Sequence, residues 1–156
     1  LEMLIDVVAR AVRQLSQSQI GALIVFEREV GLEEYIESGI RIEGIVSTEL
    51  ILSIFLPKTP LHDGALILNG TSVIAAGCFL PLTESLLPSE LGTRHRAAVG
   101  VSEVSDALVI VVSEETGTVS VAVAGELHRD LDENSLRAML AVSLEQNGSL
   151  LRGWLR

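Results

Sequence analysis

The stretch Thr59-Pro60-Leu61-His62-Asp63-Gly64-Ala65 runs directly into Leu66-Ile67-Leu68, and the rest of the chain is organised around it. Pro57 and Pro60 disfavour helix and hold the approach extended, so the apolar run behind them reads as a buried strand over 65–69. An imidazole and a carboxylate thus stand side by side at a strand entrance. Gly64, lacking a Cβ, lets another molecule come close to the backbone there. A polar pair fixed at a strand end beside a glycine is a common setting for chemistry. A turn closed by an Asx-type hydrogen bond is the competing reading.

Outward from that strand, Asn69-Gly70 is a hairpin signal, so 72–80 should return antiparallel to it. Upstream, 20–26 reads as a strand buried on both faces and 42–46 as a short strand. A loop with a helical turn fills 31–39. Ser47 is placed to cap a helix that ends before Pro57. At the start, Leu4, Val8, Ala11 and Leu15 recur at helical spacing over 2–17, a stripe that either meets a partner or, as favoured for a helix of this length, covers the domain's own sheet. Downstream, the pattern predicts a loop over 81–88, a helix over 91–101 and an apolar strand over 107–112. A polar turn over 113–117 leads to a strand carrying Val119, Val121 and Val123. Asp132 caps a last helix over 132–146, with Leu136, Met139, Leu140 and Leu144 inward; the tail 149–156, with Trp154, receives no assignment. Such alternation predicts one α/β domain over 1–156, a central mixed β-sheet flanked by α-helices, with its motifs inside 20–130.

The totals agree. A chain of 156 residues can bury a real core, and 48% hydrophobic with 21% charged residues is globular composition. Aromatics at 3% leave the core to Val, Ile, Leu and Ala. A formal charge of -10 argues against nucleic acid or an anionic membrane surface as a non-specific partner. Cys78, alone and flanked by small and apolar residues, excludes an internal disulfide and reads as buried filler. The first residue is Leu1 rather than Met, so the chain is expected to be a piece of a longer protein.

Against so acidic a background, local positive charge is informative. Thr93-Arg94-His95-Arg96 concentrates two guanidinium groups and an imidazole near an expected helix start, where free N–H groups also attract anions. Guanidinium forks match phosphate oxygens, and the Thr93 hydroxyl serves either the helix cap or a phosphate. The alternative is that these arginines pair with surface carboxylates, of which the chain has 21 acidic residues to offer. Glu114 and Glu115 follow a strand and by themselves read as solvated charge. Brought near His62 and Asp63, they would make a mixed N/O site for Mg²⁺ or, given the imidazole, Mn²⁺. A phosphate clamp beside carboxylates that hold a metal is the outline of phosphoryl or nucleotidyl transfer. Lys58 is the sole lysine, no Walker A loop or GxGxxG is present, and His128 reads as structural or surface.

These clusters, in this order, resemble the diadenylate cyclase (DAC) domain family. The resemblance is carried by Gly21-Ala22-Leu23-Ile24, Pro60-Leu61-His62-Asp63-Gly64-Ala65, Leu91-Gly92-Thr93-Arg94-His95-Arg96-Ala97-Ala98 and Val112-Ser113-Glu114-Glu115-Thr116-Gly117. It implies condensation of two ATP into cyclic di-AMP with release of two pyrophosphates. By the same resemblance Asp63 activates the attacking 3′-hydroxyl, directly or through a metal, while Gly64 and Ala65 line the ribose and phosphate path. Thr93, Arg94, His95 and Arg96 hold the triphosphate, with Ser113 and Glu115 also at the nucleotide. His62, Asp63 and Glu114 serve a divalent cation (Mn²⁺ or Mg²⁺, with Co²⁺ a further option), and Phe79 and Leu80 border the adenine. Phe79 stands where relatives often carry tyrosine, so a hydroxyl contact is absent. The family works as a face-to-face homodimer, so a monomer should bind ATP without turning it over.

Within the family, Thr59-Pro60-Leu61-His62-Asp63 and Phe79-Leu80-Pro81-Leu82 are most similar to the membrane-tethered subfamily. That implies a domain on the cytoplasmic side of a bacterial membrane, tethered through segments outside this chain and open to a regulatory protein partner. No DNA-binding region like that of the DNA-scanning subfamily is expected. Two other classes compete with an active cyclase. A sensor that binds ATP or the cyclic dinucleotide without catalysis would be signalled by loss of Asp63, Arg94 or Glu114, all of which are present. An acidic interaction domain leaves the cluster at Arg94 to Arg96 unexplained.

Overall fold

Alternation along the second apolar run assigns its residues to two separate cores. In the computed structural model, which describes residues 1–145, the run forms strand β1 (Ala22–Phe26), buried along its whole length. Ala22, Ile24 and Phe26 pack on one side of the sheet, Leu23 and Val25 on the other. Burial on both faces places a strand mid-sheet, and β1 lies at the centre of seven.

Helix α1 (Glu2–Gln17) precedes β1; α2 (Glu33–Ile36), β2 (Ile40–Ile45) and α3 (Thr48–Phe55) follow it. The hairpin β3 (Ala65–Asn69) and β4 (Ser72–Cys78) comes next, then α4 (Thr93–Val104). Strands β5 (Leu108–Val112), β6 (Val119–Val123) and β7 (Glu126–His128) lead to α5 (Glu133–Glu145). The spatial order is β2-β4-β3-β1-β5-β6-β7. Only β1 and β3 run parallel; every other neighbouring pair is antiparallel, which makes the sheet mixed as expected.

Helices α1, α3 and α5 cover one face through Val8, Leu15, Ile51, Phe55, Leu136 and Leu140. Helices α2 and α4 cover the other through Leu32, Ile36, Ala97, Ala98 and Val101. Local signals account for the ends of these elements. The Ser47 hydroxyl accepts the Leu50 amide at 3.0 Å and starts α3. Asp132 likewise accepts the Ser135 amide at 2.7 Å before α5, a bond that holds its carboxyl below the usual range. Cys78 is buried, as filler should be, and burial pushes its thiol up to about 11.

Several elements differ from expectation: β1 starts at Ala22 instead of residue 20, and β2 spans Ile40–Ile45 instead of 42–46. Strand β4 ends at Cys78 instead of residue 80, because Phe79 and Leu80 leave the sheet. Helix α4 spans Thr93–Val104 instead of 91–101; Gly92 is its extended N-cap and no side chain caps it, so of the two roles open to the Thr93 hydroxyl the cap is not taken up. The short edge strand β7 was not expected, and His128 lies on it, exposed. The tail 149–156 with Trp154, and the last residue of the expected helix 132–146, lie outside the described residues. Among the described residues no helix is long and apolar enough to cross a membrane.

Candidate active site

Strand register brings distant segments to one edge of the sheet. Pairing of β1 with β5 sets Ala22 opposite Val112, and pairing of β3 with β4 sets Ala65 opposite Cys78. The amino ends of β1 and β3 therefore share an edge with the carboxyl ends of β4 and β5. Together with the first turn of α4 they line an open cleft of about 810 Å³. That lies within the range of about 300–1,000 Å³ usual for small-molecule sites.

Each expected cluster reaches this cleft. His62, Asp63 and Gly64 enter from the approach to β3, Phe79 and Leu80 from the end of β4. Thr93, Arg94 and His95 come from the start of α4, and Ser113, Glu114 and Glu115 from the turn after β5. Two expected residues do not line it. Ala65 is wholly buried within the sheet, below the floor of the cleft. Arg96 is exposed on another face of α4, since successive helical residues point about 100° apart. The cleft-facing part of the motif is Thr93-Arg94-His95.

Gly64 is also reinterpreted. It has φ +104°, and a Cβ there would come within 2.8 Å of the Gly77 carbonyl carbon. The glycine is required first by the chain's own crossing against β4, where the register shifts near Ala76-Gly77. Only then does it line the cleft.

The polar groups differ in how firmly they are held. His62 Nδ1 lies 2.7 Å from the Thr59 carbonyl oxygen, an acceptor only. Nδ1 therefore donates to that oxygen, which orients the ring with Nε2 as its other polar atom. Arg94 Nη1 meets Glu114 Oε1 at 3.5 Å, an ion pair in which Glu114 is largely exposed and Arg94 is not. His95 is buried at 6% exposure. Burial first, and then the charges of Arg129 and Arg94, push its imidazole below the usual range, so it is neutral at pH 7.

Among the described residues no three His, Cys, Asp or Glu side chains converge on one point. His62, Asp63 and Glu114 share a cleft without forming a closed coordination sphere, and Glu114 is engaged by Arg94. That donor set fits a hard cation that takes one or two protein ligands and completes its shell from substrate phosphates and water. It does not fit a cation caged by protein alone.

Some residues at or behind the cleft had no role assigned from sequence. Gly21 precedes β1, and a Cβ on it would lie 2.5 Å from the Arg94 guanidinium carbon. The glycine makes the seat in which Arg94 rests. Glu90 lines the cleft ahead of α4 and meets Arg129 at 3.4 Å, which brings that guanidinium to the cleft's border. Gly21 was visible within a quoted motif, whereas nothing local marked Arg129.

Residues 9–127 match the family described as DisA bacterial checkpoint controller nucleotide-binding, DAC. The chain is 51% identical over 144 residues to the cyclic di-AMP synthase CdaA of Bacillus subtilis, covering 92% of this chain and 53% of that protein. It is 46% identical over 142 residues to a diadenylate cyclase of Listeria monocytogenes, covering 90% of this chain and 52% of that protein. The chain thus spans about half the length of these curated relatives. The crystal structure of a double cysteine mutant of Staphylococcus aureus DacA superposes with a TM-score of 0.89 at 51% identity, covering 91% of this chain and 95% of that one.

Proposed function

We propose, because the chain belongs to the DAC family, that it is the catalytic domain of a diadenylate cyclase of the CdaA type. Its substrate is ATP and its products are cyclic di-AMP and pyrophosphate. The observation that carries this reading is the convergence of His62-Asp63-Gly64, Thr93-Arg94-His95 and Ser113-Glu114-Glu115 on one cleft. The names of the relatives support it.

In this reading the triphosphate lies against the uncapped start of α4 and the Arg94 guanidinium, where amide N–H groups and a fork of donors meet phosphate oxygens. Glu114 must release Arg94 as the nucleotide enters, since both anions compete for one cation. The adenine lies along the apolar wall of Phe79 and Leu80. Asp63 accepts the proton of a 3′-hydroxyl as its oxygen bonds to the α-phosphorus of the other ATP. The bond to pyrophosphate breaks in line, and repetition of this exchange closes the ring. One or two of His62, Asp63 and Glu114 would hold a divalent cation, which would supply charge neutralisation at the phosphates.

Each cleft offers one nucleotide, whereas the product joins two. Two copies therefore meet with their clefts facing, and the homodimer is the working unit. The tether of the full-length protein to a bacterial membrane is part of the same reading. It is supported by the likeness to the crystal structure of a Bacillus cereus protein described as a hypothetical membrane spanning protein, with a TM-score of 0.78 at 45% identity over 81% of this chain and 63% of the other.

Asp63→Asn tests the proton-accepting role. The substitution keeps volume and removes the base, so cyclic product should fall at least about a hundredfold. ATP affinity, measured by calorimetry, should change less than about threefold. Turnover at the wild-type rate would remove Asp63 from the chemistry.

A further inference from the structure

The wall of the cleft that borders the base and the clamp that meets the triphosphate come from different parts of the chain. Phe79 and Leu80 leave β4 and continue into the loop 81–88, whose Leu82 also lines the cleft. Arg94 belongs to the first turn of α4. Leu80 and Leu87 rest against the core on the α4 face of the sheet, but Phe79 and Leu82 themselves are largely exposed, so apolar contact alone does not fix their distance from Arg94.

The loop is instead tied to the body of α4. Gly100 meets the backbone of Pro81 so closely that a Cβ would overlap its carbonyl oxygen. The Thr83 amide donates to the Arg96 carbonyl oxygen at 3.0 Å. Thr83 itself is only 2% exposed, and its hydroxyl donates to Glu103 Oε2 at 3.0 Å while accepting the Ser85 amide at 3.0 Å. The Ser85 hydroxyl donates to the same Glu103 oxygen at 3.4 Å. One helix thus carries the clamp on its first turn and the loop's anchors on its later turns.

We propose that Thr83 and Glu103, neither of which lines the cleft, are positioning residues that set the spacing between the base wall and the triphosphate clamp. The pair acts as a ruler for a whole nucleoside triphosphate. A ligand that occupies only the clamp does not feel it. This inference rests on the reading that Phe79 and Leu80 border the adenine and Arg94 the triphosphate.

The test compares ATP with inorganic tripolyphosphate by calorimetry in the wild-type protein and in Thr83→Val, Glu103→Ala and Thr83→Ser. Loss of one hydrogen bond to a carboxylate is worth about tenfold. Thr83→Val and Glu103→Ala should each weaken ATP by about that factor, with tripolyphosphate changed less than about twofold, and Thr83→Ser should restore ATP binding. Glu103 is exposed, so its variant keeps the test available should Thr83→Val fold poorly. Equal weakening of both ligands, or of neither, overturns the ruler. A wild-type protein that binds tripolyphosphate but not ATP overturns instead the functional reading beneath it, and the ruler with it.

Discussion

At the scale of single residues, two glycines shape the site before any charged group does. Gly64 permits a backbone crossing that a side chain would block, and Gly21 makes room for the Arg94 guanidinium. The two differ in consequence. Any side chain at Gly64 meets backbone, which cannot yield, whereas at Gly21 it meets the end of a flexible side chain, which can. Gly21→Ala should therefore fold with a melting temperature within a few degrees of wild type, yet bind ATP about tenfold more weakly as Arg94 is displaced from its seat. Unchanged affinity by titration would mean that Arg94 works from another position. This relation was not legible beforehand, because a glycine's neighbour across the fold leaves no local mark. Arg96 shows the converse. It stood in the same three-residue motif as Arg94, but helical phase turns it out of the cleft.

At the scale of elements, local chemistry was readable and long-range pairing was not. The Ser47 cap, the Asn69-Gly70 hairpin and the stripe of α1 each depend on residues a few positions apart, and each appears in the structure. Placement of β1 between β3 and β5 depends on partners some forty and eighty residues downstream, and no local pattern encodes it. Strand β7 escaped notice because only Leu127 among its three residues is apolar and it lies at the sheet edge. Helix α5 was legible from Leu136 and Leu140, both buried against the face opposite α4. Leu140→Ala should cost about 3 kcal/mol in urea unfolding, since it empties a fully buried site. ATP affinity of the folded fraction should be unchanged, because α5 does not line the cleft. A parallel loss of affinity would show that the two faces of the sheet are coupled.

At the scale of the molecule, a chain of net charge -10 would, on the proposed reading, receive a highly anionic substrate. It does so by placing Arg94 in the cleft, Arg129 at its border and an uncapped helix start beside them, while most of its acidic residues lie elsewhere. That economy suits one nucleotide per copy. On the proposed reading the cyclic product requires two, so activity would belong to a pair of facing molecules. The most direct measurement incubates the purified chain with ATP and Mn²⁺, and again with Mg²⁺, over a wide range of protein concentration, resolving the products by mass. The account predicts cyclic di-AMP with two pyrophosphates for each, at a rate per subunit that falls on dilution. A folded, ATP-binding protein that makes no cyclic product at any concentration with either metal would contradict it, as would full activity per subunit in a dilute monomer.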